Sequence, residues 1–115
     1  MKKSISIVVR TQFEGFHKYT NAPDEVSYLR QLHRHLFKVE VELSVTHNDR
    51  DLEFIIVKHN IEDFLKNKYQ QGETYSCEQI ADDICQHLHN CFNSRRISCL
   101  VTEDGENGGR VVYEY

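Results

Sequence analysis

Two histidines one residue apart open the most regular segment of the chain: His33-Arg34-His35-Leu36-Phe37-Lys38-Val39-Glu40-Val41-Glu42-Leu43-Ser44-Val45. Every odd position is His, Phe, Val or Leu, and every even position except Leu36 is polar. Side chains alternate across a strand with a period of two, so both imidazoles stand at the end of an apolar face. That placement suits a borderline cation such as zinc, whose catalytic sites take three protein ligands and keep a fourth position open. A third imidazole, His17, closes an earlier alternating run in which Ile5, Ile7, Val9, Thr11, Phe13 and Gly15 share its parity. An isolated His-x-His at a strand start is more often a solvated polar edge. The matching position of His17 puts a His17, His33 and His35 metal site level with that alternative.

Other residues offer chemistry less directly. Glu103 shares parity with Ile97, Cys99 and Val101, so a carboxylate ends an apolar strand face. A buried carboxylate needs a donor. Glu103 therefore reads either as a rim residue in water, like Asp104 and Glu106 beside it, or as an anchor for the paired N–H donors of a guanidine-like ring edge. Cys85-Gln86-His87-Leu88-His89-Asn90-Cys91 looks like a metal cluster in text. On a helix, residues two apart do not share a face. The expectation there is that Cys85 and Cys91 join an apolar stripe while His87 points outward. Cys77 at a helix start and His59 before a helix are candidate nucleophile and base, but neither has an orienting partner in the sequence. Structural roles are expected for both.

The elements that must position these groups follow from periodicity. Residues 4–17 and 33–45 read as strands, with 18–32, which holds the only proline, as a loop between them. Residues 47–51 carry turn chemistry. The apolar run 52–57 is a strand or the entry to a helix. Helical spacing of Ile61, Phe64, Leu65 and Tyr69 predicts a helix over about 60–69, followed by a loop at 70–75. Ser76-Cys77-Glu78-Gln79 has the form of a capping box and starts a helix over 77–92. Residues 97–103 and 110–115 read as a hairpin around a 104–109 loop. The order is ββααββ. Two hairpins bracketing two helices pack best as a four-stranded antiparallel sheet with both helices on one face, an α+β fold.

The 115 residues suit a single domain spanning 1–115, with neither internal repeat nor low-complexity linker. A formal net charge of −4 argues against nucleic acid as partner, because phosphate binding wants a basic footprint. Arg95-Arg96, the only adjacent arginines, reads as a solvated turn. The apolar run 5–9 behind Lys2-Lys3 is cut short by Arg10 with no small-residue cleavage site after it, so neither a signal peptide nor a membrane span is expected. The four cysteines have no zinc-ribbon spacing and are expected to be reduced thiols in a cytoplasmic protein.

Taken together, these segments resemble the 6-pyruvoyl-tetrahydropterin and 6-carboxy-tetrahydropterin synthase family. Phe13-Glu14-Gly15-Phe16-His17 is similar to the family's first zinc histidine after strand one, and Leu32-His33-Arg34-His35 to its Leu-His-Gly-His motif. Ser76-Cys77-Glu78 resembles its Thr-x-Glu at the second helix, and Val101-Thr102-Glu103 the strand that ends in the pterin-anchoring glutamate. The resemblance runs nearly the length of the chain, in order. It implies the tunnelling fold, with sheets closed into an oligomeric barrel, here expected as a homo-oligomeric hexamer of two trimers. It also implies zinc on His17, His33 and His35, and a pterin- or purine-like ligand held by Glu103.

The departures concern catalysis. The family's catalytic cysteine lies four residues before the first histidine of the pair, where this chain has Leu29. Its Asp-His-x-x-Leu-Asn stretch has no counterpart, the loop there being short, and its Asp-Phe before the first helix is Val57-Lys58. Arg34 replaces the glycine between the histidines, but by parity it points away from them. The expectation is therefore a zinc-binding, synthase-like protein that retains ligand binding and has lost or altered the parent reaction. The alternatives are an active synthase or lyase on dihydroneopterin triphosphate, with His59, Cys77 or a residue of the 18–32 loop as base, and a non-catalytic protein that sequesters or senses a nucleotide-like ligand. A purely structural oligomer is the third.

Overall fold

A computed structural model describes residues 1–70 and 72–115; Gln71, inside the loop expected at 70–75, lies outside the described residues. Alternating sequence becomes strand: β1 is Ile5–His17, β2 is His33–Val45 and β3 is Ile97–Glu103, while β4 is Gly108–Tyr113, two residues ahead of the expected 110–115, because the hairpin loop closes at Asn107. The sheet is antiparallel in the order β1-β2-β3-β4. Phe37, Val39, Val41 and Leu43 of β2 are buried on one face, beside Val9 of β1 and Ile97, Cys99 and Val101 of β3. Two helices cover that face: α1 (Phe54–Leu65) lies against β1, and α2 (Cys77–Cys91) against β3 and β4. The opposite face carries charged pairs such as Arg10 with Glu40 and Arg34 with Glu14.

The second helix starts as its sequence dictates. Ser76 Oγ accepts the Gln79 N–H at 3.1 Å, and Gln79 Oε1 accepts the Ser76 N–H at 2.8 Å. This reciprocal cap satisfies two backbone donors that a helix start otherwise leaves open. Ile80, Ala81, Ile84, Cys85 and Leu88 then bury one stripe against the sheet. Cys91, expected on that stripe, is exposed. The face turns away from the core in the last helical turn.

The first helix begins about six residues earlier than the sequence suggests and ends before Tyr69. Its cap is Glu53, whose carboxylate accepts the N–H groups of Ile55 (2.6 Å) and Ile56 (3.3 Å). The buried stripe is Val57, Ile61 and Leu65, while Phe54, Ile55 and Ile56 are exposed. Asn67, at φ 60°, breaks the helix. Tyr69 is buried from the loop instead, its hydroxyl donating to Asp83 at 2.8 Å. His59 consequently sits on the exposed middle of α1 rather than ahead of it.

The 18–32 segment is not plain loop. Asp24–Arg30 forms a short 3-10 stretch, kinked at Val26. The Arg30 guanidinium donates to the Ala22 carbonyl and to Asp24, folding the segment back on itself. Nor is the whole Arg95-Arg96 pair solvated. Arg95 donates to the Ser44 carbonyl at 2.9 Å and to Asp51 at 3.1 Å, tying the end of β2 to the entry of β3. The Thr46 N–H and hydroxyl also donate to Asp51. These donors, first the Thr46 N–H and then Arg95, hold the Asp51 carboxyl down at about 2. A depressed folded-state pKa stabilises the fold above the unfolded-state carboxylate value, ~4. That contribution vanishes as pH falls through about 2. Denaturant midpoints measured between neutrality and strong acid are expected to fall less steeply for Asp51→Asn than for the parent chain; parallel curves would remove Asp51 from the acid response.

Candidate metal centre

Strand register assembles the site. His17 pairs directly with His33, Gly15 with His35, and Phe37 with Glu103. Directly opposed residues in an antiparallel pair hold their β-carbons about 4.5–5.5 Å apart, and diagonal neighbours remain within reach of long side chains. All four side chains share the helix-covered face at one end of the sheet. Gly15 leaves space for this crowding: an added β-carbon would come within 3.0–3.1 Å of the Phe37 ring. Ring centroids lie 4.5 Å apart for His17 and His33, 4.9 Å for His33 and His35, and 5.3 Å for His17 and His35. One donor atom from each of His17, His33, His35 and Glu103 falls within 4.8 Å of every other, a spacing that can hold one metal ion.

The outer nitrogens set the orientation of the inner ones. Each Nδ1 faces an atom that only accepts: the Tyr75 carbonyl for His17 (2.6 Å), the Gln31 carbonyl for His33 (2.8 Å) and the Asp104 carboxylate for His35 (2.7 Å). The proton of each neutral ring therefore belongs on Nδ1, which leaves Nε2 a bare lone pair. This is the outer-shell arrangement that orients histidine ligands around metals. Among the described residues, His17 Nε2 and His35 Nε2 are buried and have no hydrogen-bond partner. Buried polar atoms without partners are rare in native structures. Glu103 Oε2 approaches these two nitrogens at 3.0 and 3.7 Å, outside hydrogen-bond alignment. Lone pairs of two neutral rings and a carboxylate facing one another repel unless a cation lies between them. A proton is a poor candidate at His17: burial pushes its pKa down, and the charges of His33 and His35 push the same way, against the Tyr75 carbonyl and Glu103. The donor set, three imidazoles and one carboxylate, matches the nitrogen and oxygen chemistry of zinc.

Asp104 is the residue the sequence does not reveal. As a member of an Asp-Gly turn it looks like loop chemistry. In the fold, Asp104 and Gly105 both take positive φ (57° and 80°), the backbone of a tight hairpin turn. That turn aims the carboxylate back at β2, where it accepts the His35 Nδ1–H and the Leu36 N–H. The His35 donor, and then the Leu36 N–H, hold its carboxyl below the usual range.

A cleft of ≈ 860 Å³ opens beside the cluster, lined among others by His17, His33, Glu103, Leu29, Cys77 and Glu78. The remaining sequence candidates are placed as follows. Leu29 presents an aliphatic side chain to the cleft. Cys77 also lines it, but burial, then Glu103 and Glu78, push its thiol up to about 12, so it is no ready nucleophile. His59 lies elsewhere, exposed on α1.

The whole chain superposes on known structures. A Plasmodium vivax 6-pyruvoyl tetrahydropterin synthase matches with a TM-score of 0.73 at 12% identity, covering 99% of this chain and 100% of that one. The Plasmodium falciparum 6-pyruvoyl tetrahydropterin synthase matches with a TM-score of 0.73 at 13% identity over the same shares. This is the pterin-synthase tunnelling fold. Two further structures of the vivax protein, variants with a catalytic glutamate changed to cysteine or to alanine, match with TM-scores of 0.71 at 12% identity. No protein-family model matches the chain, and no curated protein is significantly similar in sequence. At such identities the pterin-synthase likeness is one of architecture: sheet, helix pair and their order. Among the described residues no helix is long and apolar enough to cross a membrane.

Proposed function

We propose that this single-domain chain is a zinc-binding, pterin-synthase-like protein that holds a pterin- or purine-like ligand in the cleft and does not perform the usual synthase reaction. The observation that carries the metal reading is the set of three imidazoles, each turned by an acceptor on Nδ1 so that its Nε2 faces a common point. His17, His33 and His35 would hold the ion, with the Glu103 carboxylate close beside them. A zinc ion there supplies Lewis-acid polarisation of a ligand oxygen. The chain's own residues do the rest. Tyr75, Gln31 and Asp104 fix the ring tautomers, and the Glu103 carboxylate is offered both to the cation and to the N–H donors of a ring edge.

The doubt about catalysis comes from the cleft wall. The residue aligned with the family's catalytic cysteine is Leu29, which can move no proton. A second reading has one observation in its favour. In the vivax protein a catalytic residue is a glutamate. Glu78 borders the same cleft in this chain and is a carboxylate that an active lyase would use. A cytoplasmic homo-oligomer, a hexamer by the family pattern, accompanies either reading, with no nucleic-acid or membrane partner.

The test is what co-purifies. Metal analysis of the purified protein is expected to give about one zinc per chain, on the three-ligand argument. Mass spectrometry of small molecules released on denaturation is expected to find a pterin or purine. Less than a tenth of the metal, unchanged in His33→Ala, would sink the metal centre. No released ring compound and no thermal shift with pterins or purines would leave a structural oligomer as the better account.

A further inference from the structure

His17 is the most buried of the three histidines, and it ends a strand on the edge of the sheet. An edge strand leaves a row of backbone groups without a sheet partner. At this end of β1 the neighbours of His17 find partners elsewhere: the Phe16 N–H donates to the Tyr69 carbonyl at 3.2 Å, and the Lys18 N–H to the Glu73 carbonyl at 3.3 Å. The Tyr75 carbonyl then accepts the His17 Nδ1–H at 2.6 Å. Three carbonyls thus hold one histidine, two through its flanking backbone and one through its ring. Tyr69 seats them. Its buried ring stacks on Phe13, with centroids 5.5 Å apart, and meets the Tyr75 ring edge-on at 4.8 Å and 84°. Its hydroxyl donates to Asp83 of α2 at 2.8 Å. Burial and then Asp83 push the Tyr69 pKa up, so the phenol stays a donor throughout the neutral range.

We propose that the Tyr69–Asp83 hydrogen bond is a positioning element of the metal centre: it fixes the Tyr75 carbonyl against His17, which keeps the ring proton on Nδ1 and leaves Nε2 free for a cation. The proposal rests on the zinc reading of the centre. Tyr69 and Asp83 act through the backbone around His17, not on a donor atom of the centre. Their influence is large because a neutral imidazole carries one proton, and the nitrogen with the better acceptor keeps it. The competing acceptor is already in place: Glu103 Oε2 lies 3.0 Å from His17 Nε2. If the Tyr75 carbonyl moves away, the proton passes to Nε2 and is donated to Glu103, and two of the four groups that would meet the cation are tied to each other.

Nitrogen-15 NMR of the histidine rings in the metal-free full chain, at mildly alkaline pH, reads which nitrogen carries each proton. The parent is expected to show His17 with its proton on Nδ1. Tyr69→Phe, which keeps the ring and removes only the hydroxyl, should move part of the His17 population to the Nε2–H form and leave His33 and His35 unchanged, since their Nδ1 acceptors are Gln31 and Asp104. Zinc affinity, measured by chelator competition, should fall about 10-fold in the same variant, the lower end for loss of an outer partner. Asp83→Ala should behave like Tyr69→Phe, and Asp83→Asn, which keeps an oxygen to accept the phenol proton, should stay close to the parent. A His17 ring unchanged in Tyr69→Phe would overturn the proposal, as would equal changes at all three histidines, which mark a general loosening. A parent chain that binds no zinc would remove the metal centre instead, while the ring-proton measurement, made without metal, still decides the role of Tyr69.

Discussion

His35→Ala is expected to empty the histidine centre, and Asp104→Ala to weaken it by a smaller, defined amount. His35 supplies one of the inward nitrogens, and its loss leaves two imidazoles and a carboxylate spaced for a shared ion. Asp104 touches no inward atom. It accepts the His35 Nδ1–H at 2.7 Å and thereby fixes which nitrogen carries the proton. Loss of such an outer partner costs about 10–100-fold in metal affinity, and loss of the ligand itself should exceed that. Asp104→Asn, which keeps an oxygen to accept the Nδ1–H, should fall between Asp104→Ala and the parent. Chelator competition on the purified variants reads all three. Equal affinities for the parent and Asp104→Ala would remove Asp104 from the centre, and an undiminished affinity in His35→Ala would refute the proposed ligand set.

The second large effect concerns turnover. Incubated with dihydroneopterin triphosphate, the protein is expected to form no pyruvoyl product even when loaded with zinc. A positioned general acid or base contributes about 10²–10⁴-fold. The cleft wall offers Leu29 where that group would stand, and the one thiol bordering it, Cys77, is held protonated at neutrality. Product formation that disappears in His33→Ala would reverse this conclusion. Its further loss in Glu78→Gln would then assign the base to the carboxylate at the start of α2.

Much of this architecture is legible in the chain because its strands obey a strict local rule. Alternation alone places β2 at His33–Val45 and β3 at Ile97–Glu103. The Ser76 to Gln79 capping box likewise marks the start of α2. The first helix misleads because Phe54, Ile55 and Ile56 are apolar yet exposed, and because its cap is a glutamate rather than one of the short side chains that favour that position. Tyr69 continues the helical spacing on paper but is buried from a loop, after Asn67 has turned the chain.

The sequence by itself determined that His17, His33 and His35 stand on one side of their strands, since parity is a property of each strand alone. It also determined that Leu29 rather than a thiol precedes the histidine pair. Only the tertiary structure decided that Glu103 turns its carboxylate toward the three rings, that Asp104 orients His35, and that His87 meets Cys91 and Asn60 between two helices. Those contacts depend on strand register, on a positive-φ turn and on the packing of helices distant in sequence, none of which a local period encodes.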